Sequence, residues 1–181
     1  MPSRALLTEA QTISAAEITQ ALANQGIARV SLSAAVTRTL TTTLSNTGLT
    51  ALTVSLLQSS RYRLTYRLYA QGDTAGFKMG FTFPSSLTQF DGAMYKYDTS
   101  LGYDILVAID WESQAYGSGD AVMDAIPNSP QFGGLVFTAD ITTGSTANTY
   151  GDFAVVFAQN TSSASASTMS QNSCVEVLKF S

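Results

Sequence analysis

The acidic side chains between positions 104 and 124 are the residues whose type and spacing could do chemistry. Paired carboxylates serve general acid–base catalysis in glycosidases, and clustered ones bind Ca²⁺. Their spacing does not match that of an EF-hand loop. The alternation of side chains along a strand does not bring Asp104 and Asp110 together either. Because charge prefers the surface, we interpret them as solvated loop residues and predict no metal ligand among them. They are Asp104, Asp110, Glu112, Asp120 and Asp124.

The chain has few other residues or motifs that could support catalysis. The chain has no His and one Cys, Cys174, which excludes a His/Cys zinc site, a Ser–His–Asp triad and an intrachain disulfide. No nucleophile elbow, P-loop or dinucleotide-binding fingerprint is present, and Cys174 is interpreted as a small core residue of a terminal strand. We therefore predict no cofactor and no enzyme, with a two-carboxylate glycosidase as the remaining enzymatic hypothesis.

Charge is sparse and unevenly placed along the 181 residues, a length typical of one domain. Charged residues make up 12% of the chain, with net charge +4 over residues 1–67 and −8 over residues 68–181. This predicts a basic end facing an acidic partner and an acidic end facing solvent. The basic residues are too scattered for a phosphate-tracking patch, so no nucleic-acid partner is expected. Without an apolar leader or a run of about 20 apolar residues, we expect a chain made in the cytosol with no membrane partner.

The first 28 residues are predicted to form an arm with one short helix. Ser14 and Glu17 make a capping box, and apolar residues at helical spacing predict a helix of about Ala15 to Asn24. A short amphipathic helix is marginal alone, so the arm should dock, either on its own domain or on a neighbouring subunit. The expected contact residues are Arg4, Leu6, Leu7, Ile13, Ile18 and Leu22.

From Arg29 onward the hydrophobic period is two, which predicts an all-β domain over residues 29–181. In residues 61–68, Tyr and Leu alternate with three Arg and one Thr, typical of a half-buried strand with a basic outer face. With the turn signals between them, eight or nine short strands favour a two-sheet sandwich with jelly-roll topology. The other predicted strands lie at 36–44, 52–57, 77–83, 103–111, 135–141, 153–157, 164–169 and 174–180.

The segment Glu112–Gly134 lacks the period-two pattern of the predicted strands. It contains four glycines, counting Gly134 itself, and two prolines, so it is predicted to be a long loop. Long loops in compact domains are usually functional or mobile. Its neighbourhood is therefore the expected place for partner contacts, through Trp111, Tyr116 and Phe132.

Two stretches resemble a β-domain that recurs in virion proteins of tailed bacteriophages. The opening stretch runs from Val36–Leu44 through Leu52–Val54 and Tyr62–Leu68 to Phe77–Pro84. The closing stretch runs from Phe153 to Met169 and then from Cys174 to Val177. The closing stretch is the more specific, because its AQNTS sequence precedes alternating Ser, Ala and Thr and a final strand.

The resemblance implies a virion surface component that assembles as a homotrimer. Head decoration (cement) proteins, head fibres and tail-fibre domains belong to this class. Because the chain has no coiled-coil or collagen-like stalk, we favour a cement protein that binds the major capsid protein and stabilises the head from outside. The alternative is a head- or tail-fibre domain that binds a host receptor or glycan. Fold analogy alone does not decide between these functions.

Overall fold

The described part of the chain consists of β-strands joined by turns and loops. The computed structural model describes residues 27–72, 77–98, 103–105, 123–126, 133–159 and 161–180, and in these it has twelve strands and one 3₁₀ turn, Thr50–Leu52. The strands are β1 (Ile27–Ser31), β2 (Val36–Arg38), β3 (Val54–Leu56), β4 (Arg61–Gly72), β5 (Phe77–Thr82), β6 (Gln89–Asp98), β7 (Tyr103–Ile105), β8 (Met123–Ile126), β9 (Gly133–Thr142), β10 (Gly151–Ala158), β11 (Ser167–Met169) and β12 (Cys174–Phe180).

Two antiparallel sheets pack face to face, as predicted. The first sheet has the order β1-β12-β4-β9-β6-β7, with β11 also pairing with β4 and β2 with β11. The second sheet has the order β3-β10-β5-β8. The chain crosses repeatedly between the sheets. The strand orders β1-β12-β4-β9 in the first sheet and β3-β10-β5-β8 in the second are those of the two four-stranded sheets of a jelly roll. The β6–β7 pair extends the first sheet beyond this unit.

Strand β4 shows why alternation determines which side chains are buried. Tyr62, Leu64, Tyr66 and Leu68 are all buried, whereas the arginines between them are exposed. Because successive side chains point to opposite faces of a strand, the apolar residues face the second sheet and the arginines face solvent.

The core between the sheets is aromatic. Tyr66 lies at its centre, with ring centroids 5.4 Å from Phe81 and 5.9 Å from Phe153 of the second sheet. Phe81 and Phe137 stack across the sandwich at 4.2 Å. The Tyr66 hydroxyl donates to the carbonyl of Leu52 at 3.0 Å, so the buried polar atom is satisfied. Burial raises the pKa of Tyr66 and keeps its phenol protonated.

The structure differs from the sequence-based prediction of local structure in three places. The strand predicted at 36–44 ends at Arg38, because Leu40 has a left-handed backbone (φ 55°) that leaves the sheet ladder. Strand β6 was not predicted; its pairing with β9 is decided by tertiary contacts. The segment Glu112–Gly134 is not loop throughout, because β8 pairs with the free edge of β5 inside it and β9 begins at Gly133.

The ends of several predicted elements also differ. Strand β1 begins at Ile27, two residues before the boundary drawn from the sequence, and pairs along its length with β12. Of the strand predicted at 103–111, the structure describes β7. The predicted helix 15–24 lies outside the described residues. In the part of the chain that is described, no helix is long and apolar enough to cross a membrane.

Candidate functional site

The solvent side of the first sheet carries a concentration of charged side chains. It presents Arg29 of β1, Glu176 of β12, Asp140 of β9, and the β4 arginines. We call this surface the charged face and define it by Arg29, Arg61, Arg63, Arg67, Asp140 and Glu176. It lies on continuous, hydrogen-bonded strands, so its side chains are held by a rigid support.

The tightest interaction on the charged face joins Arg63 and Asp140. The two residues are direct cross-strand neighbours on β4 and β9. Arg63 Nε donates to Asp140 Oδ1 and Nη2 to Oδ2, each at 2.7 Å, which is bidentate geometry. The hydrogen bonds from Arg63 lower the pKa of Asp140, and the charge of Arg61 adds to the effect. Asp140 is therefore ionised at neutral pH.

Glu176 lies between two further arginines. Its carboxylate is 3.9 Å from Arg29 Nε on one side and 3.9 Å from Arg67 Nη2 on the other. Basic residues from the first 67 positions thus meet acidic residues from the remainder of the chain. For these residues, the predicted separation into a basic end and an acidic end is wrong, because antiparallel pairing interleaves the two parts of the sequence.

An acid pair is also present on this sheet, and one of its two members is bound by an arginine. Asp91 of β6 is the cross-strand neighbour of Asp140 on an open sheet face. A glycosidase needs one carboxyl with a raised pKa to donate a proton. Both Asp140 oxygens bind Arg63 and its pKa is lowered, so Asp140 does not suit that role. Among the described residues, no cluster of acidic, His or Cys side chains could hold a metal ion.

A second feature lies where two loops meet at one end of the sandwich. We call this region the loop end and define it by residues 39–53, between β2 and β3, and by residues 159 and 161–166, between β10 and β11. The fully buried Gln159 joins the loops: its Oε1 accepts from the backbone N–H of Thr41 (3.3 Å) and Ser163 (3.2 Å). Its Nε2 donates to the carbonyl of Ser165 at 2.5 Å. One side chain thus satisfies three backbone groups.

The cation nearest to the loop end among the described residues is turned inward. The Arg38 guanidinium lies over the Phe157 ring, 4.6 Å from its centroid. It donates to the carbonyls of Ser45, at 3.5 Å, and Thr47. Desolvation by burial lowers the pKa of Arg38. The side chain therefore serves the packing of the 39–53 loop.

None of the residues predicted to contact a partner is among those that the structure describes. All of the arm residues (Arg4, Leu6, Leu7, Ile13, Ile18 and Leu22) and all of the loop residues (Trp111, Tyr116 and Phe132) are outside the described residues. Cys174 is fully buried, in agreement with its interpretation as a core residue.

The alternation in residues 61–68 predicts the three exposed arginines of β4 but gives no sign of the acids that they meet. The sequence also gives no sign of the role of Gln159 beyond its place in the unusual AQNTS motif. Comparison with family models, curated proteins and solved structures found no match to this chain.

Proposed function

We propose that this chain is a virion surface protein: a decoration (cement) protein that binds the major capsid protein on the outside of a bacteriophage head and stabilises the shell. The observation that carries the proposal is how the two virion-like stretches are arranged. Strand β10 of the closing stretch lies between β3 and β5 of the opening stretch. Strands β11 and β12 likewise pair along β4. Stretches some 70 residues apart thus form one unit, as the ends of a common domain would.

The charged face supports a protein partner rather than a nucleic acid. A phosphate-tracking surface needs a run of Lys or Arg without acids among them. Here acids lie among the four arginines of the face: Arg63 is bound by Asp140, and Arg29 and Arg67 share Glu176. A face of mixed sign suits a polar protein surface of complementary charge and selects its orientation.

The position of β1 supports the arm as an attachment element. β1 is an edge strand of the first sheet, and its first residue, Ile27, is 72% exposed. Residues 1–26 therefore join the sandwich at its rim, where a segment can reach a neighbouring subunit. In this proposal the arm contacts the shell through Leu6, Leu7 and the other apolar residues of its sequence.

The copy number of the protein in purified virions tests the proposal. A cement protein is present at hundreds of copies per particle, and the fibre alternative predicts a handful. Absence of the chain from virions would refute both.

Attachment is tested with heads that lack the protein. The variant Leu6→Asp/Leu7→Asp should bind such heads at least tenfold more weakly, because each apolar side chain withdrawn from a contact loses about 1.5–3 kcal/mol of burial. The matched control is Leu57→Asp, at an exposed position in the turn before β4. Occupancy equal to wild type in the double variant would show that the arm is not the anchor.

A further inference from the structure

The two loops of the loop end belong to runs of sequence without charge. No Asp, Glu, Lys or Arg occurs from Thr39 to Ser60 or from Phe153 to Val175, although 12% of the whole chain is charged. The charged face lies on the strands of the first sheet instead. The described loops at this end thus contribute hydroxyl, amide and apolar groups, and the neighbouring Arg38 guanidinium is directed onto the Phe157 ring and the carbonyls of Ser45 and Thr47.

Leu40 is the most exposed large apolar side chain of these loops, at 70%. Its backbone is left-handed, with φ 55°. A leucine adopts this conformation at a cost, whereas Asn and Gly adopt it readily. Neither burial nor backbone preference therefore explains a leucine here within the single chain.

The backbone around Leu40 is held in place. The Leu40 N–H donates to the carbonyl of Ser163 at 2.8 Å. The next residue, Thr41, is bound by Gln159 through both its backbone groups, the N–H by the side chain and the carbonyl by the Gln159 N–H at 3.0 Å. A contact made by a pre-ordered loop loses less conformational entropy on association than one made by a loose loop.

We propose that the loop end is a self-association surface, where copies of this chain meet around a rotation axis and bury Leu40 against one another. Near such an axis each group faces its own copy, so a charged side chain would meet like charge and an uncharged one does not. The loop end meets this condition and the charged face, with its four arginines, does not. The inference rests on the proposed function, because the resemblance to virion surface proteins behind that function also implies a homotrimer, and it assigns the contact that holds the trimer.

The first test replaces the side chain without straining the backbone. Leu40→Asn removes the apolar group and suits the left-handed conformation. In sedimentation analysis of the full chain, its dissociation constant for the trimer should rise at least tenfold, as expected when a buried leucine is lost. Its strand signal in circular dichroism should be retained. The control is Ser59→Asn, which is also left-handed (φ 50°) and exposed but lies in the turn after β3, at the opposite end of the sandwich. It should remain a trimer.

The second test is disulfide cross-linking through an introduced cysteine. It is possible because the only native thiol, Cys174, is fully buried. In Leu40→Cys the introduced thiol is exposed, and mild oxidation should link two chains within an assembled trimer. Ser59→Cys should not form this link.

The outcomes separate the inference from the proposed function. A wild-type trimer whose Leu40→Asn variant has an unchanged dissociation constant overturns the assignment of the surface and leaves the function intact. A wild-type chain that decorates heads as a monomer also overturns the inference alone. A loop-end trimer that is absent from virions supports the inference and overturns the function.

Discussion

Replacing Gln159 by leucine should destabilise the fold by a predictable amount. The substitution keeps a side chain of similar size but removes three hydrogen bonds to backbone groups of the two loops. At roughly 0.5–1.5 kcal/mol for each bond, the free energy of unfolding should fall by about 1.5–4.5 kcal/mol. For a chain of this size that lowers the Tm by about 3–18 °C.

The assay is urea unfolding followed by circular dichroism, with the exposed Gln58→Leu as the matched control, which should stay within about 0.5 kcal/mol of wild type. If Gln159→Leu unfolds at the wild-type midpoint, the Gln159 side chain does not hold the two loops together.

A second variant at this position tests the mechanism through pH. In Gln159→Glu, burial should raise the pKa of the introduced carboxyl above its ordinary value of about 4.3. The protonated acid can donate to the carbonyl of Ser165 and accept from the two N–H groups, as the amide does; the carboxylate cannot donate. Its stability should therefore approach that of wild type below about pH 4.3 and be lost as the pH rises through the raised pKa. A deficit relative to wild type that does not change with pH would contradict this account.

Three further substitutions examine the sheets. Tyr66→Phe leaves a buried carbonyl without its donor and should cost about 1–3 kcal/mol by urea unfolding; an unchanged midpoint would contradict the assignment. Ser173→Ala removes the hydroxyl that accepts from the N–H of Tyr69 at 3.0 Å, so exchange of that amide should be faster than in wild type, with other β4 amides as internal controls. Because Arg63 lowers the pKa of Asp140, the stability this pair contributes is present above the ordinary Asp pKa of about 3.9 and lost as the pH falls through the lowered value. Wild type should therefore lose more stability than Asp140→Asn between about pH 5 and pH 2, and parallel pH profiles would show that the pair is not stabilising.

The sequence by itself determined the class of the fold and the buried side of its most regular strands. In residues 61–68 and 77–81, large apolar side chains recur at every second position, and all of these are buried. The final strand was predicted with its observed bounds, Cys174–Phe180. These features are local, because the side chains of a strand alternate between its two faces whatever its partners are. The predicted arm rests on equally local signals and stays a prediction.

Only the tertiary structure decided which strands pair and what their faces bring together. The alternation that exposes Arg63 gives no sign that Asp140, in a distant part of the sequence, lies opposite it. Gln159 links the two loops because the fold places the residue after β10 beside Thr41. The run of threonines after Leu40 favours a strand, yet the left-handed backbone at Leu40 ends that strand early. Register and loop contacts depend on residues far apart in sequence, so local patterns carry little information about them.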